Sequence, residues 1–427
     1  MSSQRIVIVG GGFAGVTLAQ RLERVLPGEI EIVLLSSENH FVFTPLLAET
    51  AGREISPLHV VISGRQMVRR ANWLTAEVTE VDRASNQVCY VTRGGERGTV
   101  SYDHLVIACG SVVDFSAVPG LSSYAYPLRT LGDAVFLSND LIGRLEEAAL
   151  HPDWSERQRL LTLVVIGGGF SGVEIAGSLS DLMERTRQFY PQLHDVEPRI
   201  VLLQRAERIV PEFASESLSD YALSKLRSHG IEVYLNVGAE AVTARGVTTS
   251  QGEHIPAGTV VCTVGNASNP LLGTLDLPLE RGRLRTEPDM RVAGCSNVWA
   301  LGDSAVVPNA ATGRRSQPTA QFATRQARQL ADNLVCVVKG RPTRAFSFKP
   351  LGMMAAIGRH NAVAEVMGLR LSGLVAWMFW RSVYLAKMPT VHRKVEVALD
   401  WTQSIFFPPN VVQLQLTRTL RARGVSV

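Results

Sequence analysis

The chain carries the same glycine-rich loop twice, and this repeat constrains its fold more than any other feature. One copy reads Gly-Gly-Gly-Phe-Ala-Gly at residues 10–15, and the other reads Gly-Gly-Gly-Phe-Ser-Gly at residues 167–172. When Gly10–Leu22 is aligned with Gly167–Leu179, eight of thirteen residues are identical. Each copy follows an apolar run typical of a buried strand and opens a stretch with the periodicity of a helix.

The glycine spacing has a physical meaning at a strand-to-helix junction. The first glycine makes a tight turn, the second lets the backbone approach a pyrophosphate, and the third lets the helix pack on the strand. The pyrophosphate then lies against N–H groups at the N-terminus of the helix. A single copy is a weak signal, but two copies predict two dinucleotide sites. Two dinucleotides in one chain imply that electrons or hydride pass between them.

Composition is consistent with a folded chain of several domains. The chain has 427 residues, of which 46% are hydrophobic and 19% are charged. This length predicts two or three domains with large buried cores. No run reaches the roughly 18 apolar residues that a spanning helix needs. Because Arg5–Val9 already has the pattern of a strand, we expect no signal peptide. We also expect no metal site and no nucleic-acid partner.

Cysteine usage argues against one class of flavoprotein. The five cysteines are odd in number, and none lies at C-x-x-C spacing. We interpret them as buried thiols in a reducing compartment. The chain therefore lacks the redox-active cysteine pair of the flavin disulfide reductases. The five residues are Cys89, Cys109, Cys262, Cys295 and Cys336.

The predicted order of strand, glycine loop, helix and strand occurs twice, and other elements follow the second copy. The first helix is predicted to start at Val16, and short alternating strands within residues 76–107 are predicted to form an antiparallel meander. A second strand follows each loop, at Glu31–Leu35 and at Arg199–Leu203. A further strand ends in Gly-Asp within residues 298–304, before a helical stretch at Thr319–Val338. We predict an α/β fold with two Rossmann-like dinucleotide-binding domains, one inserted in the other, and a C-terminal amphipathic membrane-association module. The predicted boundaries are 1–125 and 285–345 for the first domain, 126–284 for the second and 346–427 for the module.

Four further segments, taken in order after the first loop, carry a family resemblance. They read Phe-Thr-Pro-Leu-Leu at 43–47, Gly-Gly-Gly-Phe-Ser-Gly-Val-Glu at 167–174, Ala-Leu-Gly-Asp at 300–303 and Thr-Ala-Gln-Phe-Ala at 319–323. With them the chain resembles a type II NADH:quinone oxidoreductase, of the pyridine nucleotide-disulfide oxidoreductase-like flavoprotein superfamily but without the redox disulfide. The resemblance spans nearly the whole chain. It implies that hydride passes from NADH, or from NADPH, to FAD, and that two electrons then pass to a membrane quinone without proton pumping.

The resemblance implies that the first domain holds FAD. Asp303 would accept a hydrogen bond from a ribityl hydroxyl, although a plain N-cap also explains an acid there. The family often has an acid where Ser36 stands, so Ser36, Ser37 or Glu38 would bind the ribose, and a solvated loop charge is the alternative for Glu38. The loop and ring-lining residues expected to contact FAD are Gly10, Gly12, Phe13, Ala14, Gly15, Thr44 and Pro45.

The second domain would bind the nicotinamide dinucleotide. Gln204 occupies the ribose position after the second strand, where an acid would favour NADH by repelling a 2′-phosphate. Gln204 can bond the 2′-hydroxyl without this repulsion, and Arg205 could pair with the phosphate, so NADPH use stays open. The remaining residues expected to contact this dinucleotide are Gly167, Gly169, Phe170, Gly172 and Gly265.

Two residues are expected to take part in the reaction itself. By resemblance, Glu174 lies where nicotinamide and flavin meet and serves proton or hydride traffic; the alternative is an acid placed favourably in the first turn of a helix. Gln321 would hydrogen-bond a quinone carbonyl, together with Arg325 and Gln326. The family often has glutamine where Arg325 stands. The alternative for this group is a solvated polar helix face.

The C-terminal module has its own character. Residues 346–427 contain ten Lys or Arg and three Asp or Glu, so this segment carries +7 and the rest of the chain −3. Its tryptophans, Phe406 and Phe407, and a last helical stretch at Val411–Arg423 fit helices lying in a membrane interface. We expect a peripheral protein on an anionic membrane surface, at the cytoplasmic face of the cell membrane. A helical cap packed on the body or on a twin subunit, hence a homodimer, is the alternative.

Two other functions remain open on these residues. A sulfide:quinone oxidoreductase-like flavoenzyme would have a similar cap, but it needs cysteines poised at the flavin. A flavin-binding signalling or interaction protein would need no turnover.

Overall fold

The computed structural model describes residues 4–414, which form a mixed α/β fold. The strands of this part of the chain, in order, are β1 (Arg5–Val9), β2 (Glu31–Ser36), β3 (His40–Val42), β4 (Val61–Ser63), β5 (Asn72–Asp82), β6 (Gln87–Thr92), β7 (Arg97–Ser101), β8 (His104–Ile107), β9 (Ser111–Val113), β10 (Tyr126–Pro127), β11 (Thr162–Ile166), β12 (Arg199–Gln204), β13 (Ile231–Leu235), β14 (Ala239–Thr243), β15 (Gly246–Thr249), β16 (His254–Pro256), β17 (Thr259–Cys262), β18 (Asn266–Ser268), β19 (Leu279–Glu280), β20 (Arg283–Arg285), β21 (Val298–Ala300), β22 (Ala305–Val306), β23 (Pro308–Asn309), β24 (Arg314–Arg315), β25 (Gly352–Ala356), β26 (Ala362–Val366) and β27 (Leu369–Ser372).

The α-helices of the same part are α1 (Phe13–Val25), α2 (Leu47–Ala51), α3 (Gly64–Met67), α4 (Leu121–Tyr124), α5 (Leu131–Leu150), α6 (Trp154–Leu160), α7 (Phe170–Arg187), α8 (Glu216–Ser228), α9 (Ala320–Val338), α10 (Gly373–Lys387) and α11 (Val391–Phe406). None of these helices combines the length and apolar character that crossing a bilayer requires.

The chain divides into two compact units. The first contains the chain up to Val42 together with Val61–Val113 and Asn266–Leu351. The second contains Phe43–Val60, Asp114–Gly265 and the chain from Gly352 onward. One dinucleotide loop therefore lies in each unit. The domain boundaries drawn from the sequence stay a prediction; they differ from this division mainly in assigning Phe43–Val60 to the first domain and in separating the C-terminal segment.

The first unit is built on a seven-stranded sheet in the order β21-β8-β1-β2-β5-β6-β7. β1 pairs in parallel with β2 and β8, so that Val7 lies beside Val33 and Leu105. These strands are continuous apolar runs because helices cover both faces of such a sheet. β5, β6 and β7 pair antiparallel, which confirms the meander predicted within residues 76–107. Helix α1 begins at Phe13, three residues before the predicted start, and packs against α9.

The second unit is built on a five-stranded parallel sheet in the order β10-β17-β11-β12-β13. α2 packs against α5 and α7. The C-terminal segment of this unit forms the antiparallel sheet β25-β26-β27 and the helices α10 and α11, of which α10 packs on β26 and on α11. The helical stretch predicted at Val411–Arg423 has no regular structure at 411–414, and its remainder lies outside the described residues.

Candidate active site

The first glycine loop has the geometry that its spacing predicts. Gly10 has φ +117°, and a Cβ added there would lie 2.2 Å from the carbonyl oxygen of Ala108. A Cβ added to Gly15 would lie 1.9 Å from the carbonyl oxygen of Gly10. Both positions therefore require glycine. A Cβ on Gly12 would have no atom of the described chain within 4 Å, so packing alone does not require glycine there.

The second loop repeats these relations in the other unit. Gly167 has φ +108°, and a Cβ on Gly172 would lie 1.7 Å from the carbonyl oxygen of Gly167. A Cβ on Gly169 would approach only the carboxylate of Glu212, at 3.0 Å, among the described residues. In both loops the middle glycine borders space at the N-terminus of a helix whose N-cap is that glycine itself. Such a cradle fits the pyrophosphate of a dinucleotide.

Both loops are braced by an aromatic pair. The ring of Phe13 packs edge-on against Phe41, with centroids 4.9 Å apart. The ring of Phe170 packs in the same way against Phe213, at 5.1 Å. The identical phenylalanine in the two copies therefore has a packing role in the structure.

The Gly302–Asp303 turn lies against the first loop. Gly302 has φ +68°, and a Cβ on it would lie 3.3 Å from Cβ of Ala14 and 3.6 Å from Cβ of Ala323. Asp303 accepts a hydrogen bond of 3.0 Å from the Ser111 hydroxyl. The turn, the first loop and the start of α9 thus meet in one unit, which is the arrangement that a flavin dinucleotide in the first loop would need.

Gln326 lies against this turn, and its side chain is buried. It is 1% exposed, and its Oε1 accepts a 2.8 Å hydrogen bond from the backbone N–H of Gly302. We predicted Gln326 as a quinone contact from the sequence. Because its amide is buried and bonded to the turn, we now assign it to positioning Gly302 and Asp303 instead.

Of the three ribose candidates, Ser36 lies against the loop. A Cβ on Gly11 would lie 2.5 Å from Oγ of Ser36, and that oxygen accepts from the N–H of Glu38 at 3.3 Å. Glu38 and Ser37 are exposed. The choice among them stays a prediction, with Ser36 favoured by position. In the other unit, Thr44 is exposed and Pro45 half-buried in a 3₁₀ turn at Thr44–Leu46.

Gln204 departs from its expected role. Its Oε1 accepts from the N–H of Gly168 at 3.0 Å, and its Nε2 donates to the carbonyl of Arg208 at 3.0 Å. One polar end thus holds the second loop at Gly168 and the other holds the segment after β12 at Arg208, and Gln204 is buried. Arg205 is exposed. Gly265 has φ +78°, and a Cβ on it would meet the carbonyl of Asp114 at 2.8 Å, so the turn after β17 also requires glycine.

Glu174 lies further along α7 than expected. The helix begins at Phe170, so Glu174 is its fifth residue rather than a first-turn acid, which removes the helix-end explanation for its position. Glu174 as a whole is half-buried, but its carboxyl group is surrounded by protein atoms. Burial raises the pKa of Glu174 to about 8, while the Ala356 N–H, 3.2 Å from Oε1, and the Trp380 indole oppose this shift. At neutral pH Glu174 therefore carries a proton.

The remaining quinone candidates lie on α9 in the first unit. Thr319 caps this helix by accepting from the N–H of Phe322. Gln321 is half-buried, and its Oε1 accepts from the N–H of Leu351 at 3.2 Å. Arg325, one turn later, is exposed and lies over the ring of Phe348 at 5.3 Å. Gln321 and Arg325 therefore share an accessible face, from which Gln326 points away.

The structure also contains buried charges that the sequence analysis missed. Glu49, Glu54 and Arg381 form a buried cluster in the second unit. Two acids in the short stretch Leu46–Ile55, and an arginine among tryptophans, were the available signals. All five cysteines are free thiols, and burial raises the pKa of Cys109 to about 11, so this thiol is unreactive. Within residues 4–414, no cluster of His, Cys, Asp or Glu could hold a metal ion.

Comparison with known proteins places these features in one family. Residues 4–327 match the pyridine nucleotide-disulphide oxidoreductase family. Residues 351–408 match the NDH2 C-terminal domain. The chain belongs to the type II NADH:quinone oxidoreductases.

Relatives and a solved structure agree with this assignment. The chain is 34% identical over 410 residues to the demethylphylloquinone reductase NdbB of a Synechocystis species, covering 93% of this chain and 95% of that protein. It is 31% identical over 416 residues to the type II NADH:quinone oxidoreductase NdhA of Mycobacterium tuberculosis, covering 93% and 86%. NDH2 of Plasmodium falciparum, solved in complex with NADH, has the same fold, with a TM-score of 0.89 at 19% identity over 96% of this chain and all of that one.

Proposed function

We propose that this type II NADH:quinone oxidoreductase passes hydride from NADH to a bound FAD and then two electrons to a quinone, without pumping protons. The observation that carries this proposal is the pair of glycine cradles, one in each compact unit, in a chain whose C-terminal segment matches the NDH2 domain. When bound, FAD supplies the redox chemistry, since it accepts a hydride and returns two electrons.

The residues of the first unit would bind and orient FAD. The loop around Gly12 offers the pyrophosphate a cradle, and the Asp303 carboxylate can accept from a ribityl hydroxyl. Gln326 fixes the backbone of Gly302, which brings this turn close to the loop. Ser36, Ser37 and Glu38 stay the candidates for the ribose. Thr44 and Pro45, which belong to the second unit, stay candidates for the flavin ring on the family resemblance alone.

The residues of the second unit would bind NADH. The loop around Gly169 takes the pyrophosphate, and Gln204 holds this loop by accepting from the N–H of Gly168 while it ties in Arg208 of the following segment. Gly265 would flank the nicotinamide end. Glu174, protonated at neutral pH, can hold a proton for the reaction. NADPH stays an additional donor in this proposal, because no acid replaces Gln204.

The quinone would be bound beside Gln321 and Arg325. Gln321 has an amide that can donate to a quinone carbonyl, and the neighbouring Ala320 and Ala323 leave room for a flat ring. Quinol formation also needs protons.

The C-terminal segment supports a peripheral membrane location. Along α11, residues Val391, Val395 and Leu399 are 76%, 54% and 55% exposed at a spacing of four, so they form an apolar stripe. Phe406 and Phe407, at its end, are 74% and 64% exposed. An exposed apolar stripe in a segment of net charge +7 fits the interface of an anionic bilayer, at about 1 kcal/mol per basic residue near the surface. We place the enzyme at the cytoplasmic face of the cell membrane; a homodimer contact through the same stripe is the alternative.

Two experiments test this proposal. Purified protein should contain one FAD per chain, and it should oxidise NADH only when quinone is added, forming one quinol per NADH. A protein that cannot be loaded with FAD would refute the function. For the membrane, sedimentation with anionic liposomes should retain the wild type and lose much of a Phe406→Ser, Phe407→Ser double variant, with exposed Leu150→Ser as the control. Concentration-dependent dimers without liposome binding would support the homodimer instead.

A further inference from the structure

The second unit contains two buried carboxyls that share one guanidinium. Glu49 lies in α2, Glu54 follows it, and both side chains are about 5% exposed. Nη2 of Arg381 lies 3.2 Å from Oε2 of Glu54 and 3.7 Å from Oε1 of Glu49. The indole N–H of Trp401 donates to Oε2 of Glu49 at 2.9 Å. The guanidinium is held in place by the rings of Trp377, at 3.7 Å, and Trp401, at 4.7 Å.

The charges of this cluster do not balance if both carboxyls are ionised. One guanidinium neutralises one carboxylate, and a second unpaired carboxylate in a buried site is unfavourable. Burial and the neighbouring Glu54 raise the pKa of Glu49 to about 8, against the opposing charge of Arg381. Burial also raises the pKa of Glu54, but Arg381, Arg185 and Arg359 all oppose that rise. Because Nη2 of Arg381 lies nearer to Glu54 than to Glu49, the ion pair is Arg381–Glu54, and Glu49 is the carboxyl that keeps the proton.

The cluster continues in one direction to Glu174. Helix α2, which carries Glu49, packs against α7, which carries Glu174. The charge of Glu174 acts on Glu49, and burial followed by the charges of both carboxyls raises the pKa of Tyr384. The ring of Tyr384 is itself fixed against Phe43 and Trp380. Tyr384 is thus a half-buried hydroxyl-bearing residue whose pKa responds to both acids.

In the other direction the cluster reaches a cavity of about 540 Å³. Glu54 lines this cavity together with Arg53, Arg185 and Asp400, and its rim includes the exposed Phe407. Glu54 is thus the member of the cluster that lines the cavity. Glu49 shares the Arg381 guanidinium with Glu54, and Glu174 lies on α7, the helix that packs against α2.

We propose that Glu54, Arg381 and Glu49 form a proton relay that resupplies Glu174 from the cavity in each turnover. This inference rests on the proposed function, whose balance is NADH + H⁺ + quinone → NAD⁺ + quinol, so one proton must come from solvent. Glu174 gives up the proton that quinol formation consumes, Glu49 returns a proton to Glu174, and water in the cavity reprotonates Glu49 by way of Glu54. Arg381 stabilises whichever carboxylate is ionised. Glu49 and Glu54 act through Glu174 and are positioning residues for the proton.

Several other charges face this relay and set its pH range. Arg185 and Asp181 come from α7, Arg359 from the turn before β26 and Arg381 from α10, while Arg53 and Asp400 line the cavity beside Glu54. Burial, and then the charge of Glu54, raise the pKa of Asp181 to about 7, and its Oδ2 accepts from the N–H of Arg359 at 2.6 Å.

The first test does not depend on activity. Infrared spectra of the FAD-loaded protein in H₂O and D₂O should contain a protonated-carboxyl band at pH 7 that is lost in Glu49→Gln and titrates in the wild type with a midpoint of about 8. Glu174→Gln should remove a second component and leave that of Glu49. If the Glu49→Gln spectrum retains the whole band, Glu49 is ionised and the relay is refuted.

The second test measures the step that needs the proton. In stopped flow, reoxidation of the reduced flavin by a short-chain soluble quinone should slow in Glu54→Gln by about 10²-fold, the low end of what a positioned proton donor contributes. In this variant the rate of flavin reoxidation should decrease as the pH rises, and its solvent deuterium isotope effect should be larger than in the wild type. Glu54→Asp should recover much of the rate. The control Glu184→Gln, exposed on α7, should behave as the wild type.

The outcomes separate the relay from the function. If the wild type oxidises NADH with quinone but Glu54→Gln reoxidises its flavin at the wild-type rate, only the relay is refuted. The same holds if Glu54→Gln slows flavin reduction by NADH equally, because a merely structural defect would do so. If the wild type does not reduce quinone, function and relay fail together, and the infrared band still reports whether the buried pair shares a proton.

Discussion

Replacing Gly12 by alanine should separate binding of FAD from folding. An added Cβ there meets no atom of the described residues within 4 Å, and Gly12 has φ −82°, which alanine adopts without strain. Alanine at an N-cap costs on the order of 1 kcal/mol, and the reduced freedom of the unfolded chain returns about 0.4–1 kcal/mol. The free energy of unfolding of the apoprotein should therefore change by less than about 1 kcal/mol.

Binding of FAD should weaken much more, because the methyl group occupies the space that the pyrophosphate must enter. Loss of one hydrogen bond to a charged phosphate oxygen costs about 1.5–3 kcal/mol, or roughly 10- to 150-fold in Kd. The matched variant is Gly15→Ala, whose Cβ would lie 1.9 Å from a backbone oxygen and should destabilise the apoprotein by about 3 kcal/mol or more.

The assay is urea denaturation of the apoproteins, combined with flavin fluorescence during reconstitution. Wild-type affinity of Gly12→Ala for FAD would mean that the pyrophosphate lies elsewhere. A severely destabilised apoprotein would mean that the space at Gly12 serves packing.

Three further predictions follow from the sites. Gln321→Ala removes one hydrogen bond to a quinone carbonyl, worth roughly 0.5–1.5 kcal/mol, and should slow electron transfer from flavin to quinone about three- to twelvefold. Reduction of the flavin by NADH, measured by stopped flow, should stay normal. Slowing of the NADH step alone would mean that the quinone binds elsewhere. Gln204→Glu should raise the KM for NADPH more than the KM for NADH. The temperature of thermal unfolding should also fall, because a carboxylate cannot donate a hydrogen bond to the carbonyl of Arg208. Unchanged kinetics with a reduced unfolding temperature would confine Gln204 to holding the loop. The pKa of Glu49 is raised from 4.5 to about 8, so its contribution to stability is present below about pH 4.5 and is lost as the pH rises to about 8. Denaturant titrations should therefore show Glu49→Gln gaining stability relative to the wild type over this range, by up to roughly 5 kcal/mol. A stability difference that does not depend on pH would contradict the raised pKa.

The parts of the fold that local sequence determines were predictable. Loop spacing and apolar runs gave both strand–loop–helix copies, and the helix predicted at Thr319–Val338 is α9 with Thr319 as its cap. The start of α1 was predicted at Val16 but lies at Phe13, because the middle glycine of the loop is already the N-cap. A helix that begins inside a glycine motif has no apolar periodicity to mark its first turn.

The candidate site was predictable only in part, because burial decides what an amide does. Gln321 and Gln326 have the same side chain on the same helix, yet one is accessible and the other is bonded to Gly302. The sequence contains no signal that separates them. The cluster around Glu49 needed the fold itself, since Glu54 and Arg381 are 327 residues apart in the chain.

The central claim is that electrons pass from NADH through a bound flavin to quinone, and anaerobic stopped-flow spectroscopy tests it most directly. Added NADH should bleach the flavin absorbance of the purified protein, and quinone added afterwards should restore it, with one quinol formed per NADH consumed. A flavin that NADH does not bleach, or a bleached flavin that quinone leaves reduced, would contradict the account.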